Sequence, residues 1–242
     1  KIINNFNFKS NDKIINGLGL SNNFNIFFKN LNSVGKNTTE YKSSGQSELQ
    51  SLIEINSELP LLKISDRYNE TLMPKISLRL NPGEMKNHSA DERTINVSNI
   101  FNSNRLGIND SLEAGNSVTL GVQYEKNNRD HKDNYLKISL ASAFRDIEED
   151  NISKQTSLNQ KNSNVFGSID FGLSKALSLD YKFAIDNNIE EFEYNSFGVN
   201  LSLNNFVTTF NFVEDNASLN NANYFETSSK FDFDKSNSIF FK

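Results

Sequence analysis

Hydrophobic and polar positions alternate along most of the chain with a period of two, the signature of half-buried β-strands. Val118, Leu120, Val122 and Tyr124 share one parity, and Ser117, Thr119, Gly121, Gln123 and Glu125 the other. The same alternation recurs at Leu18 to Phe28, Ile53 to Leu61, Leu72 to Leu80 and Leu136 to Phe144. A hairpin follows, in which Val165 to Leu173 lead through "SKA" into Leu177 to Ile185, with Ser178, Asp180, Lys182 and Asp186 on the opposite face. Phe192 and Tyr194 sit at even positions but Phe197, Val199, Leu201 and Leu203 at odd ones, a phase change that predicts a β-bulge near Asn195. Phe206 to Phe212 and Phe225 to Phe233 mark later strands.

About twelve strands are expected, joined as an antiparallel meander, with no amphipathic helix and no internal domain boundary. Longer polar connections fall near residues 30–48, 81–116 and 145–163. Pro74 interrupts a strand-like run, which predicts an edge, a strand start or a bulge there.

Periodicity leaves open what the apolar stripe touches: a protein core in a soluble sandwich, or lipid outside a barrel. Segments 133–145 and 177–186 reach about ten residues or more, longer than usual soluble strands and suited to a tilted span. The lack of Trp and the short turns after residues 173, 185 and 203 lean the other way. No apolar run is long enough for a helical span, which a barrel does not need.

Composition narrows the chemistry. About one residue in six is Asn, mean hydropathy is −0.57, and 20 Phe supply apolar material that a disordered chain lacks. A net charge of −5 offers no field for a nucleic-acid backbone. With no Cys and two His, no thiolate or histidine-rich metal centre is expected, and no cofactor motif is present. No catalytic constellation stands out. The acidic stretch Asp146, Glu148, Glu149 and Asp150 could gather a divalent cation but lacks the spacing of a calcium loop, and reads as a solvated tip. Asn-X-Ser/Thr triplets, such as those at Asn37, Asn87 and Asn216, are what an Asn- and Ser-rich chain holds by chance.

The stretch "NIFNSNRLGINDSLEAGNSVTLGVQYE" adds a resemblance to the barrel of the LPS-assembly protein family (LptD, or organic solvent tolerance protein). Asn99, Phe101, Asn104, Arg105, Gly107, Asp110, Glu113, Gly115, Gly121 and Tyr124 match the family pattern, whereas Ile108, Ser111 and Asn116 depart from it. "ELPLLKIS" and "TLMPKISLRLNP" are similar to the proline-bearing strands before that segment, and "LSLDYKFAIDNNIEEFEYNSFGVNLSL" to later hairpins.

The resemblance implies an outer-membrane translocon of a Gram-negative bacterium, with residues 1–242 as part of a much larger transmembrane barrel. The N-terminal periplasmic domain, the closing strands and the lateral opening then lie elsewhere, as do the family's cysteines, unless this lineage lacks those disulfides. It implies transport of lipopolysaccharide without catalysis, a plug lipoprotein (LptE), a periplasmic bridge protein that delivers LPS, and contact with outer-membrane lipid. Thr119, Gln123, Asp180 and Lys182 are then expected to line the lumen, and Val118, Leu120, Leu179 and Phe183 to meet lipid. Residues 99–115 are expected to be structural, with Arg105, Asp110 and Glu113 pairing with one another or with lumen-facing groups and Gly107 and Gly115 turning the backbone. Another outer-membrane barrel, porin or receptor, and a soluble Asn-rich adhesin or fibre module are the alternatives.

Overall fold

The computed structural model describes residues 1–15, 17–37, 42–216, 222–234 and 236–242. The triplets that begin at Asn37 and Asn216 run outside these residues. The strands are β1 (Ile2–Lys9), β2 (Lys13–Ile15), β3 (Leu20–Ser33), β4 (Gln46–Glu58), β5 (Leu61–Ile64), β6 (Tyr68–Asn81) and β7 (Gly115–Asn128). They continue with β8 (Tyr135–Arg145), β9 (Val165–Ser174), β10 (Leu177–Ile185), β11 (Phe192–Leu203), β12 (Phe206–Asp215), β13 (Ala222–Asp232) and β14 (Ser238–Phe241).

The fourteen strands pair in the order β1-β3-β4-β6-β7-β8-β9-β10-β11-β12-β13-β14, with β2 on β3 and β5 on β6. This is the expected all-β antiparallel meander. The count exceeds twelve because β2 and β5 are short strands of three and four residues that alternation resolves poorly. The one helical element among the described residues is a 3₁₀ turn, Lys154–Thr156. No helix there is long and apolar enough to cross a membrane, which says nothing about strands.

Two compact units emerge. The first comprises Lys1–Leu59, Lys75–Leu120 and Ala143–Ser163. Its strands invert the burial of a soluble sheet: Glu54, Arg79 and Asn81 are 1%, 2% and 0% exposed, whereas their neighbours Ile53, Leu78 and Leu80 are 42%, 36% and 46% exposed. A sandwich core would reverse these values, because burying a charge costs far more than burying an aliphatic side chain gains. Most of the buried apolar side chains lie instead in two connections: Met85, Ile95, Ile100, Leu106, Ile108 and Ala114 in residues 82–114, and Ile152 and Leu158 in residues 146–164.

The second unit comprises Pro60–Pro74, Gly121–Ser142 and Asn164–Lys242. In β9, β10 and β11, Leu179 pairs with Phe171 and Val199, and Tyr181 with Ile169 and Phe197, on one face. Asp180 pairs with Asp170 and Gly198, and Lys182 with Ser168 and Ser196, on the other. The apolar face is dented by a depression lined by Leu136, Ile169, Phe171, Leu179, Tyr181 and Phe197. A Cβ on Gly167 would lie 2.1 Å from the Phe183 ring, so that glycine exists to seat the aromatic.

The expected irregularities fall where the pattern put them. Opposite β10 the register skips Glu193, since Ala184 faces Tyr194 and Ile185 faces Phe192, a bulge two residues before Asn195. Pro74 lies where β6 changes partner, between Leu72 opposite Leu61 of β5 and Lys75 opposite Glu58 of β4. A residue without an N–H is tolerated at such a break in the ladder.

Candidate functional site

The connection between β6 and β7 carries the motif loop, and its geometry starts locally. Asn104 closes a turn on itself, donating from Nδ2 to the Ile108 carbonyl at 3.0 Å and accepting from the Ile108 N–H at 3.0 Å. Gly107, inside that turn, has φ +64°, and Gly115, at the entry to β7, has φ +81°. Gly115 also leaves room for a guanidinium, since a Cβ there would stand 2.7 Å from Arg145 Nη2. Asn99 braces the start of the loop, donating to the Thr94 carbonyl at 2.9 Å and accepting from the Asn96 N–H at 2.9 Å. Phe101 beside it is half-buried.

The turns bring Arg105 and Glu113 face to face. Arg105 Nε and Nη2 donate to Glu113 Oε2 and Oε1 at 2.8 and 2.5 Å, a bidentate pair, and its other donors reach Thr119 Oγ1 at 2.9 Å and Ser117 Oγ at 3.1 Å. Arg145, at the end of β8, donates to Glu113 Oε1 at 2.7 Å and to the Ala114 carbonyl. Arg79 of β6 donates to Glu54 Oε2 of β4 at 2.7 Å and to the Asn102 and Ser103 carbonyls at 3.1 and 2.7 Å. Glu54 Oε1 accepts in addition from Asn25, Asn56 and the Ser103 hydroxyl.

Five charged side chains, each at most 5% exposed, thus join three strands to the loop. Charges buried this far from water persist only when paired and hydrogen-bonded, as these are. Burial alone would raise the Glu113 carboxyl, but the charges of Arg105, Arg79 and Arg145 and the Arg105 hydrogen bond outweigh it and hold it far below the usual carboxylate range. Glu113 is therefore a fixed anion rather than a proton carrier.

Further polar ties fasten the loop. Lys29 donates to the Asn109 carbonyl at 2.6 Å, Gln50 accepts from the Leu112 N–H at 2.7 Å, and Asn81 donates to the Glu113 carbonyl at 2.8 Å. Asp110, expected to pair with its motif neighbours or with other groups, meets Lys1 Nζ at 3.0 Å and lies 3.2 Å from His88 Nε2. Burial would raise its carboxyl, yet the Lys1 hydrogen bond and charge, with smaller help from His88 and Lys86, bring it below the ordinary value.

Thr119 is fully buried beneath Arg105, while Val118 is half-buried and Leu120 exposed. Gln123, half-buried in the second unit, donates to Glu125 Oε1 at 2.9 Å. Asp180 is half-buried and Lys182 exposed, on the face opposite half-buried Leu179 and Phe183. In the acidic stretch, Asp146 Oδ2 accepts from Asn116 Nδ2 at 2.8 Å and Glu149 Oε1 from Asn151 Nδ2 at 2.8 Å.

Glu54, Arg79 and Arg145 escaped the sequence reading of this network. Their signal was present: Gln50 and Glu54, then Ser77, Arg79 and Asn81, occupy the polar parity of long strands, where a charge flanked by aliphatic residues points away from them.

No curated protein matches the chain. The family model described as LPS transport system D matches residues 28–236. That match covers most of the chain, including the motif loop, the strands around it and the hairpins β9 to β13. With its antiparallel strands and a family model matched over most of its length, the chain belongs to the LPS transport system D (LptD) family of outer-membrane proteins.

Proposed function

We propose that residues 1–242 form part of a large outer-membrane β-barrel that inserts lipopolysaccharide into the outer leaflet. The polar parity, with Thr119, Gln123, Asp180 and Lys182, lines the lumen and hydrates the saccharide; the apolar parity, with Val118, Leu120, Leu179 and Phe183, meets lipid. The acyl chains leave sideways into the membrane, which requires no bond to be made or broken. LPS arrives from a periplasmic bridge protein, and a plug lipoprotein (LptE) occupies the parent barrel. The motif loop serves as an internal strut.

The inverted burial carries this reading: aliphatic side chains outside and buried ion pairs inside suit a sheet bathed in lipid on its apolar face. It also counts against a soluble adhesin, whose apolar stripes would be the buried ones. The test compares Leu179→Arg with Asp180→Arg in the full-length parent. Leu179→Arg should cost about 2–4 kcal/mol near the bilayer midplane and reduce assembled barrel and surface LPS, while Asp180→Arg is tolerated. Equal assembly of both, or a wild-type chain that stays in solution without detergent, would contradict the proposal.

A further inference from the structure

The apolar face of the second unit is not flat. Its depression, of about 310 Å³, spans two neighbouring rungs of the sheet: Leu136, Phe171 and Leu179 on one, Ile169, Tyr181 and Phe197 on the other. The shape follows from how the aromatic side chains lean. Gly167 lets the Phe183 ring sink onto the sheet, and Tyr181 follows it, with ring centroids 5.5 Å apart and its hydroxyl donating at 2.6 Å to Oδ1 of Asn195, the residue opposite Phe183. Tyr181 thus reaches away from Leu179 and leaves the sheet between the two rungs uncovered.

The polar groups beside the depression are engaged elsewhere. The Tyr181 hydroxyl is bonded to Asn195, and Asp180, between the rungs, carries its carboxylate to the opposite face, over Gly198. A guest bearing hydroxyls, amides or charge would leave them unpaired here, whereas a hydrocarbon chain loses nothing. The surface continues into the outward stripe, since exposed Phe210 and Phe212 of β12 face Val199 and Phe197 of β11. Its height selects a leaflet. Leu179 and Tyr181 stand about 13 and 20 Å along β10 from Lys175, within about half of the 40–45 Å that a bilayer and its headgroup regions span. At that end residues 175–176 and 204–205 make two-residue turns, while residues 146–164 and 186–191 make longer connections at the other. Short turns face the periplasm in outer-membrane barrels, and the leaflet there is phospholipid.

We infer that this depression seats one acyl chain of a phospholipid in the periplasmic leaflet. The inference rests on the lipid-facing reading of the apolar parity and adds to it a lipid class, a leaflet and the residues that form the seat. Acyl chains surround the wall everywhere, so no hydrophobic gain distinguishes the seat. Dispersion does, because a chain lying in the depression meets side chains on its flanks as well as beneath it. The seat is therefore weak and enriches its chain only a few-fold.

The test places the full-length parent in phospholipid nanodiscs doped with a trace of phosphatidylethanolamine that bears a diazirine on one acyl chain. After illumination, peptide mass spectrometry locates the attached lipid. Phe210 and Phe225 lie on the same two rungs and the same parity as Phe171 and Phe197 but outside the depression, so residue type and depth are matched. Labelling at Phe171 and Phe197 should exceed that at Phe210 and Phe225 by about threefold or more. Leu136→Trp and Ile169→Trp each fill the depression and should abolish the excess, while Phe231→Trp on β13 leaves it. Heat-modifiability gels identify assembled variants, and the wild-type pattern decides by itself where a variant does not assemble. An excess that survives in an assembled Leu136→Trp or Ile169→Trp barrel, or stronger labelling of Phe171 and Phe197 by lipid A carrying the same diazirine, would overturn the seat. Equal labelling of all four phenylalanines would overturn it too but leave the lipid-facing reading standing, whereas absence of label from all four would remove both.

Discussion

Glu113 shows how one carboxylate can organise a loop. It answers the charge of Arg105 and Arg145 directly and lies 3.8 Å from Arg79, and removing it strands guanidiniums that are at most 3% exposed. Breaking a buried pair in this way costs about 3–5 kcal/mol, so Glu113→Ala should lower the yield of folded barrel in heat-modifiability gels. Normal assembly of both Glu113→Ala and Arg105→Ala would remove the strut from the account. The same carboxylate sets an acid limit. Its folded-state pKa is depressed below the ordinary 4.5, so its stabilisation is complete above that value and is lost as pH falls through it toward the lower folded value. Unfolding monitored against pH should therefore show no pH dependence from Glu113 between about pH 6 and 8, where its stabilisation is fully present, and a progressive loss below about pH 4.5, a limb that Glu113→Gln flattens.

Strands and turns were read from the chain with more success than the contacts between them. Period-two alternation is local, so β3, β4, β7 and β10 announce themselves wherever they pack, and the phase change before Asn195 reports a bulge that also lies within one strand. The Arg105–Glu113 pair was legible because both ends sit in one short loop. Glu54, Arg79 and Arg145 were not, because they meet that loop from three strands far apart in sequence, and nothing local encodes which polar side chains converge. The ring of Phe183 over Gly167 is another contact of this kind and makes an element-scale prediction. Gly167→Ala forces the ring away and should lower thermal stability by about 1–3 kcal/mol, with most of the loss recovered in Gly167→Ala/Phe183→Ala relative to Phe183→Ala. Additive losses would mean that the ring and the glycine are not coupled.

At the scale of the whole molecule the proposed function turns on the apolar stripe, whose solvent in a membrane-spanning barrel is lipid. Alternation alone does not distinguish a stripe facing a protein core from one facing acyl chains, which have the same period; the burial of Glu54, Arg79 and Asn81 beside exposed Ile53, Leu78 and Leu80 supports the second. The most direct measurement labels this cysteine-free stretch, with any cysteine elsewhere in the parent replaced by serine. Single cysteines at Leu179, Asp180, Lys182 and Phe183 in the full-length parent, spin-labelled in bilayers, are read by electron paramagnetic resonance for collision with oxygen and with a water-soluble nickel chelate. Labels at Leu179 and Phe183 should favour oxygen, and labels at Asp180 and Lys182 the chelate, alternating residue by residue. Chelate access at Leu179 and Phe183, or exclusion of both reagents there as in a protein core, would contradict the account.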